Sequence, residues 1–327
     1  MPELSYLDAA ALRSLIDLPQ AVEALCAALV RGDVDPENDS PRLFSPAPEG
    51  EFLLMPTAGP NYCGVKALTL APGNPERGLP RVQGVYTLFR NDDLAPVALL
   101  DASELTLIRT PATTLLAALR LLEARHRDPR SLRVVVVGTG PQADRHARAV
   151  HQLLQPRQIR IVGRRGQAAH SLAARLCAEG VPAQAGAASE LTEADLVICV
   201  TSSRSPVLQD ADIRDEAIVV AVGTHGLDAR EVPAELARRA FVVVEGRASA
   251  MREAGNLISA RPVAEWEAIG LPNLQDLARA SVSVPDDRPT LYSGVGMAWE
   301  DLVIATAVHH AAIVRADPVG GVTKEPQ

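Results

Sequence analysis

Residues 134–143 read Val-Val-Val-Val-Gly-Thr-Gly-Pro-Gln-Ala, and the fold turns on them. Four consecutive β-branched residues suit a strand buried on both faces, as at the centre of a parallel sheet. Gly138 permits a tight turn, Gly140 lets the backbone approach a ligand, and Ala143 keeps the following helix close to the strand. That helix, expected over Gln142–Leu154, would offer a pyrophosphate its N–H groups and the positive end of its dipole. A lone GxGxxA turn serves many βα units, so its weight comes from its setting.

The setting agrees. Strand character recurs at Ile159–Val162, Leu196–Val200, Ile218–Val222 and Phe241–Val244, with a helix at Gln167–Glu179. Such alternation predicts an α/β domain of Rossmann type over residues 127–296, with right-handed crossovers. At the end of the second strand, Gly163-Arg164-Arg165 stands where an NAD site usually carries a carboxylate for the ribose hydroxyls. Gly163 leaves space for a 2′-phosphate, and Arg164 or Arg165 can pair with it. NADP(H) is therefore favoured, NAD(H) is the alternative, and two solvated arginines are the plain structural reading.

Upstream, a helix at Ala21–Val30 precedes strands at Glu51–Met55, Gly64–Leu70, Gly84–Phe89 and Val97–Leu100. A longer helix follows at Thr110–Arg125, with Pro111 in its first turn. The last helix is expected at Asp301–Arg315, and Asp317–Gln327 reads as a polar, loosely ordered tail. The chain is thus α/β overall, a Rossmann-type domain with a discontinuous α+β substrate-binding and dimerisation domain built from 1–126 and 297–327.

At 327 residues, 47% hydrophobic and 22% charged, the chain has the composition of a two-domain globular protein. A net charge of −8 with scattered basic residues argues against a nucleic-acid partner. Cys26, Cys63, Cys177 and Cys199 form no CxxC pair and read as reduced, mostly buried thiols. His126, His146, His151, His170, His309 and His310 lack ligand spacing, so no metal is expected. Met1–Asp8 lacks the pattern of a signal peptide, and no uninterrupted apolar stretch approaches the ~20 residues of a membrane helix. A cytoplasmic protein without a membrane partner is expected.

Six stretches occur in a set order: Gly64-Val-Lys66, Gly78-Leu-Pro80, Thr106-Leu-Ile-Arg109-Thr110, Gly138-Thr-Gly140-Pro141-Gln142, Ala221-Val222-Gly223 and Gly296-Met-Ala-Trp-Glu-Asp301. Together they resemble the ornithine cyclodeaminase/μ-crystallin family from about Arg42 to Asp301. The resemblance implies a nicotinamide cofactor acting on an imine or amino acid, an active site in the cleft between domains, and a homodimer formed through the strands of the substrate domain. It implies that Arg42 and Lys66 bind the substrate carboxylate, in a pocket including Met55 and Gly294. Taken alone, Arg42 and Lys66 read as surface cations. It further implies that Arg109 sits between cofactor and substrate, while Thr201, Val222 and Gly223 border the cofactor.

The chain departs from the cyclodeaminase pattern at two carboxylates. His225 stands in place of an aspartate that transfers a proton, and Leu53 in place of a glutamate near the substrate amine. Their loss removes the anionic character a second amino group would require, favouring reduction of Δ1-pyrroline-2-carboxylate or Δ1-piperideine-2-carboxylate to L-proline or L-pipecolate. Either His225 or water would protonate the imine nitrogen. Gly294 replaces a serine of many members. Ornithine or lysine cyclodeamination, alanine or opine-type dehydrogenation, and a non-catalytic NADPH-holding crystallin are the alternatives.

Overall fold

A computed structural model describes residues 4–316, and the expected tail at 317–327 lies outside them. The chain divides into two compact units, one of Met1–Ala28, Ser40–Arg109 and Ala298–Gln327, the other of Leu29–Asp39 and Thr110–Met297.

The first unit is built on a six-stranded sheet of β1 (Tyr6–Leu7), β2 (Leu43–Ala47), β3 (Gly50–Ala58), β4 (Tyr62–Leu70), β5 (Val82–Arg90) and β6 (Pro96–Asp101), in the order β1-β6-β5-β4-β3-β2. From β2 to β6 neighbouring strands are antiparallel, and β1 adds in parallel to β6. Alternation decides the faces. On β4, Gly64, Lys66 and Leu68 are buried while Val65 and Ala67 are partly exposed. The last helix, Ala298–Ala316, packs against β3, β4 and β5. It begins three residues before the expected start at Asp301.

Helices α1 (Ala9–Leu15) and α2 (Leu18–Arg31) precede β2, and α3 spans Ala102–Ala124. The expected start of α3 at Thr110 is corrected. The Asp101 carboxylate accepts the Glu104 backbone N–H at 2.8 Å, capping a helix that begins at Ala102. Pro111 therefore lies inside the helix, not in its first turn. Among the described residues α3 is the one helix long and apolar enough to cross a membrane, and it is mostly buried in protein.

The second unit holds a seven-stranded sheet of β7 (Arg133–Val137), β8 (Gln158–Val162), β9 (Ala183–Ala185), β10 (Leu196–Cys199), β11 (Ile218–Ala221), β12 (Phe241–Val244) and β13 (Thr290–Ser293). Its order is β12-β13-β11-β10-β7-β8-β9, and every pairing is parallel. Strand β13 was not expected. Only four residues long and bounded by Pro289 and Gly294, it lacks the aliphatic run of its neighbours, and it is placed by pairing on both edges. Helices α4 (Pro141–Leu154) and α5 (Gly166–Ala178) follow β7 and β8. Ala143, Ala147, Val150 and Leu154 bury one stripe of α4.

Residues 29–39 group with this unit because Glu37 holds them there. Its carboxylate accepts from Asn273 Nδ2 at 2.6 Å and from the Arg247 backbone N–H at 3.0 Å. Residues 110–126, expected with the first part of the chain, also group here. One tie is His146 on α4, whose Nε2 lies 3.0 Å from Thr114 Oγ1 on α3. Of the four cysteines only Cys199 is buried; Cys177 lies on the outer face of α5.

Candidate active site

The cation positions come first. Lys66 is not a surface residue: its side chain is 1% exposed, and its ammonium lies 2.7 Å from the fully buried Asp301 carboxylate. Thr106 Oγ1 is a second, longer partner at 3.5 Å. Arg109, 8% exposed, donates to Glu300 at 2.7 Å, and its Nε lies 3.6 Å from Asp301 Oδ1. Two buried cations thus face two buried carboxylates, the arrangement that makes burying such groups tolerable. Burial lowers the Lys66 ammonium to about 8; Asp301 opposes this, and the charges of Arg109 and Arg42 add to it. Arg42, just before β2, is partly exposed.

The strands explain the company Lys66 keeps. Met55 and Tyr86 are its direct cross-strand neighbours. Leu53 and Met55 pack with Leu68, Ala102 and Ala298 in one apolar cluster. The strand beside Lys66 therefore presents hydrocarbon at these two positions. Gly64 is dictated by Tyr86, since a Cβ there would lie 2.1 Å from the phenol oxygen.

In the second unit, the expected cofactor residues all follow carboxyl ends of parallel strands. Gly138 has φ +143°, and a Cβ on it would meet the Val200 carbonyl at 3.0 Å. The chain leaves β7 toward β8 on one side, while β10 flanks β7 on the other. That reversal is where open α/β sheets bind ligands. Gly140, the N-cap of α4, has no atom within 4 Å of where a Cβ would sit, so its lack of a side chain is not required by the protein's own packing. Pro141 occupies the first turn, and the next backbone N–H groups have no partner within the helix. Open backbone and the positive end of a helix dipole fit a diphosphate.

Two details differ from expectation. The space above Gly163 is taken by the Thr139 methyl group, 2.5 Å from a built Cβ, so glycine is needed there for packing within the protein. At Gly294 a Cβ would meet Glu245 Oε1 and Val222 Cγ1 at 3.1 Å each, which disfavours serine. Glu245 accepts from the Val295 and Gly296 backbone N–H groups at 3.0 and 2.6 Å. Arg164 and Arg165 are exposed, and neither guanidinium has a hydrogen bond or ion pair among the described residues. His225 is exposed in the loop after β11.

Thr201 and Gly223 come together through a residue the sequence did not single out. The Glu231 carboxylate accepts from Thr201 N at 2.6 Å, Thr201 Oγ1 at 2.8 Å and Gly223 N at 2.7 Å. Burial raises it to about 7, against those hydrogen bonds, which lower it. Glu245, Glu300 and Asp301 also received no role from sequence. For the last two a signal existed: an adjacent acidic pair opening an apolar helix is what two buried cations would need. For Glu231 there was none.

Residues 5–315 match the family model described as the ornithine cyclodeaminase/mu-crystallin family. The chain is 32% identical over 314 residues to Delta(1)-pyrroline-2-carboxylate reductase 1 of Burkholderia multivorans, covering 94% of this chain and 96% of that one. It is 31% identical over 325 residues to the Delta(1)-pyrroline-2-carboxylate/Delta(1)-piperideine-2-carboxylate reductase of Azospirillum brasilense, with 96% and 97% covered. Among solved structures, a probable ornithine cyclodeaminase from Bordetella pertussis Tohama I superposes with a TM-score of 0.84 at 28% identity, covering 95% and 98%.

Proposed function

We propose that this chain, which belongs to the ornithine cyclodeaminase/mu-crystallin family, is an NAD(P)H-dependent oxidoreductase that reduces cyclic ketimine carboxylates. Its substrates are Δ1-pyrroline-2-carboxylate and Δ1-piperideine-2-carboxylate, and its products L-proline and L-pipecolate. The observation that carries the choice of substrate is Leu53 and Met55 flanking Lys66 on the neighbouring strand, in an apolar cluster with no carboxylate for a second amine. The names of the two curated relatives support the same choice.

Reduction of C=N places a hydride on carbon and a proton on nitrogen. A bound reduced nicotinamide supplies the hydride. Arg42 and Lys66 hold the substrate carboxylate, Arg42 through a planar fork that matches it. Glu300 and Asp301 lock Arg109 and Lys66 in single orientations, so little reorganisation remains for the reaction. His225, or water admitted beside it, delivers the proton to nitrogen.

Gly138, Gly140, Pro141 and Gln142 hold the diphosphate, and Thr201, Val222 and Gly223 border the rest of the dinucleotide. NADP(H) is the preferred form: β8 ends without a carboxylate, and two arginines unused by the protein stand beside it. The chain works as a homodimer through the sheet face opposite the last helix. One row across four strands of that face, Leu43, Leu54, Ala67 and Val85, is apolar and partly or wholly exposed.

The test is NADPH oxidation by Δ1-pyrroline-2-carboxylate. Stoichiometric formation of proline supports the assignment; no turnover by folded, NADPH-bound protein overturns it. Ammonia release from ornithine without net change in cofactor would assign cyclodeamination instead.

A further inference from the structure

Glu231 is fully buried, and no cation among the described residues pairs with it. A carboxylate in that position costs free energy, so what holds it matters. Three donors from two strand ends converge on it, Thr201 N and Oγ1 on one oxygen and Gly223 N on the other. The residue is anchored from behind: its own N–H and that of Val232 donate to the buried Asn256 amide oxygen at 2.7 and 3.2 Å.

The position is particular. Strands β10 and β11 pair in register to Cys199 and Ala221, and one further ladder bond joins Val222 N to Cys199 O. Past that point Gly223 N has no carbonyl opposite it. Glu231 supplies the missing acceptor and extends the sheet by a side chain. The two segments are also pressed together, because a Cβ on Gly223 would lie 2.2 Å from Thr201 N. A glutamine would fill the same volume, but its single acceptor oxygen could not serve both oxygens' donors.

We propose that Glu231 is a positioning residue for hydride transfer, its carboxylate fixing the spacing between the Thr201 and Gly223 backbones so that the nicotinamide end of the cofactor is held in one orientation. This rests on the cofactor assignment given above. A sub-ångström displacement at such a point matters because transfer rates fall steeply with misplacement. The adenosine half is held elsewhere, at the ends of β7 and β8, and is unaffected. Burial and the three donors oppose each other in setting the acidity of Glu231, and Cys199 on β10 is a titratable neighbour whose thiol is pushed up by burial first and by the Glu231 charge second.

The test compares wild type with Glu231→Gln and Thr201→Val. Expected for Glu231→Gln are unchanged affinity for 2′,5′-ADP, faster depolarisation of bound NADPH fluorescence, kcat lower by roughly ten- to a hundredfold, and a larger isotope effect with 4-deuterated NADPH. Thr201→Val removes one donor of three and should shift each readout the same way by less; Thr201→Ser should restore it. If Glu231→Gln cannot be folded, the threonine pair decides alone. Unchanged fluorescence depolarisation and an unchanged isotope effect in the folded variants overturn the inference. Wild-type protein that binds NADPH yet reduces no cyclic imine would instead overturn the substrate assignment, and the fluorescence comparison would still judge Glu231.

Discussion

The Lys66 ammonium and the Asp301 carboxylate lie 2.7 Å apart with both side chains shut away from solvent. One sits on a strand and the other near the start of the last helix, so the pair couples the sheet to the helix that covers it. Removing one member strands the other's charge. Asp301→Asn should lower the unfolding free energy by about 3–5 kcal/mol, and Lys66→Met combined with Asp301→Asn by less than the sum of those two single changes. Urea unfolding measures both. Additive losses would show that the two charges do not depend on each other.

Activity should follow the Lys66 charge. Its ammonium titrates near 8, so the protonated form that binds a carboxylate is lost as pH rises through that value. The expected result is a fall in kcat/KM for the imino acid above pH 8, with that limb displaced upward in Lys66→Arg. Lys66→Met should lose roughly a hundredfold below pH 8, and its deficit against wild type should shrink as pH rises through that value. For stability the sign is reversed: the folded state binds its proton more weakly than the unfolded chain, so this group's contribution rises with pH between about 8 and its ordinary value.

Glu231 adds the opposite limb. Its carboxyl, raised to about 7, accepts all three hydrogen bonds only when ionised, so kcat should fall as pH drops through 7, and Glu231→Gln should lack that limb. Its stability contribution is fully present below the ordinary glutamate value and lost as pH rises through 7, so wild type should gain on the glutamine variant toward acid pH in thermal unfolding. A flat kcat profile between pH 6 and 8 would contradict this account.

Two glycines separate cofactor binding from folding. Gly140 has open space where a Cβ would go, so Gly140→Val should fold with an unchanged melting temperature and lose NADPH binding. Gly223 has backbone 2.2 Å from the same point, so Gly223→Ala should be destabilised by at least about 1–3 kcal/mol. Calorimetry on both, with and without NADPH, distinguishes the two cases.

The exposed row across the first sheet predicts assembly. Leu43 is 54% and Val85 37% exposed. Placing glutamate at both positions should give a folded monomer, whereas wild type should sediment at twice 34.7 kDa. A wild-type monomer at micromolar concentration would refute the dimer.

Much of this was legible in order along the chain. The valine run of β7, the glycine turn and the alanine stripe of α4 are local patterns whose period states their burial, and Lys66 and Arg109 sit in motifs of recognisable spacing. Strand β13 was not legible, because Thr-Leu-Tyr-Ser owes its conformation to the strands on either side. The start of α3 was missed because Pro111 looked like a beginning, while the capping carboxylate of Asp101 lay further upstream.

Local sequence determined the element types, the parallel sheet and the turn suited to a diphosphate, because periodicity and glycine placement act over a few residues. Only the tertiary structure decided that Lys66 is buried against Asp301, and that Glu231 joins two strand ends it does not adjoin in sequence. Lys66 with Asp301 and Thr201 with Glu231 each meet at hydrogen-bond distance from 30 or more positions apart, and the cost of burying a charge without such a partner is what makes those meetings specific.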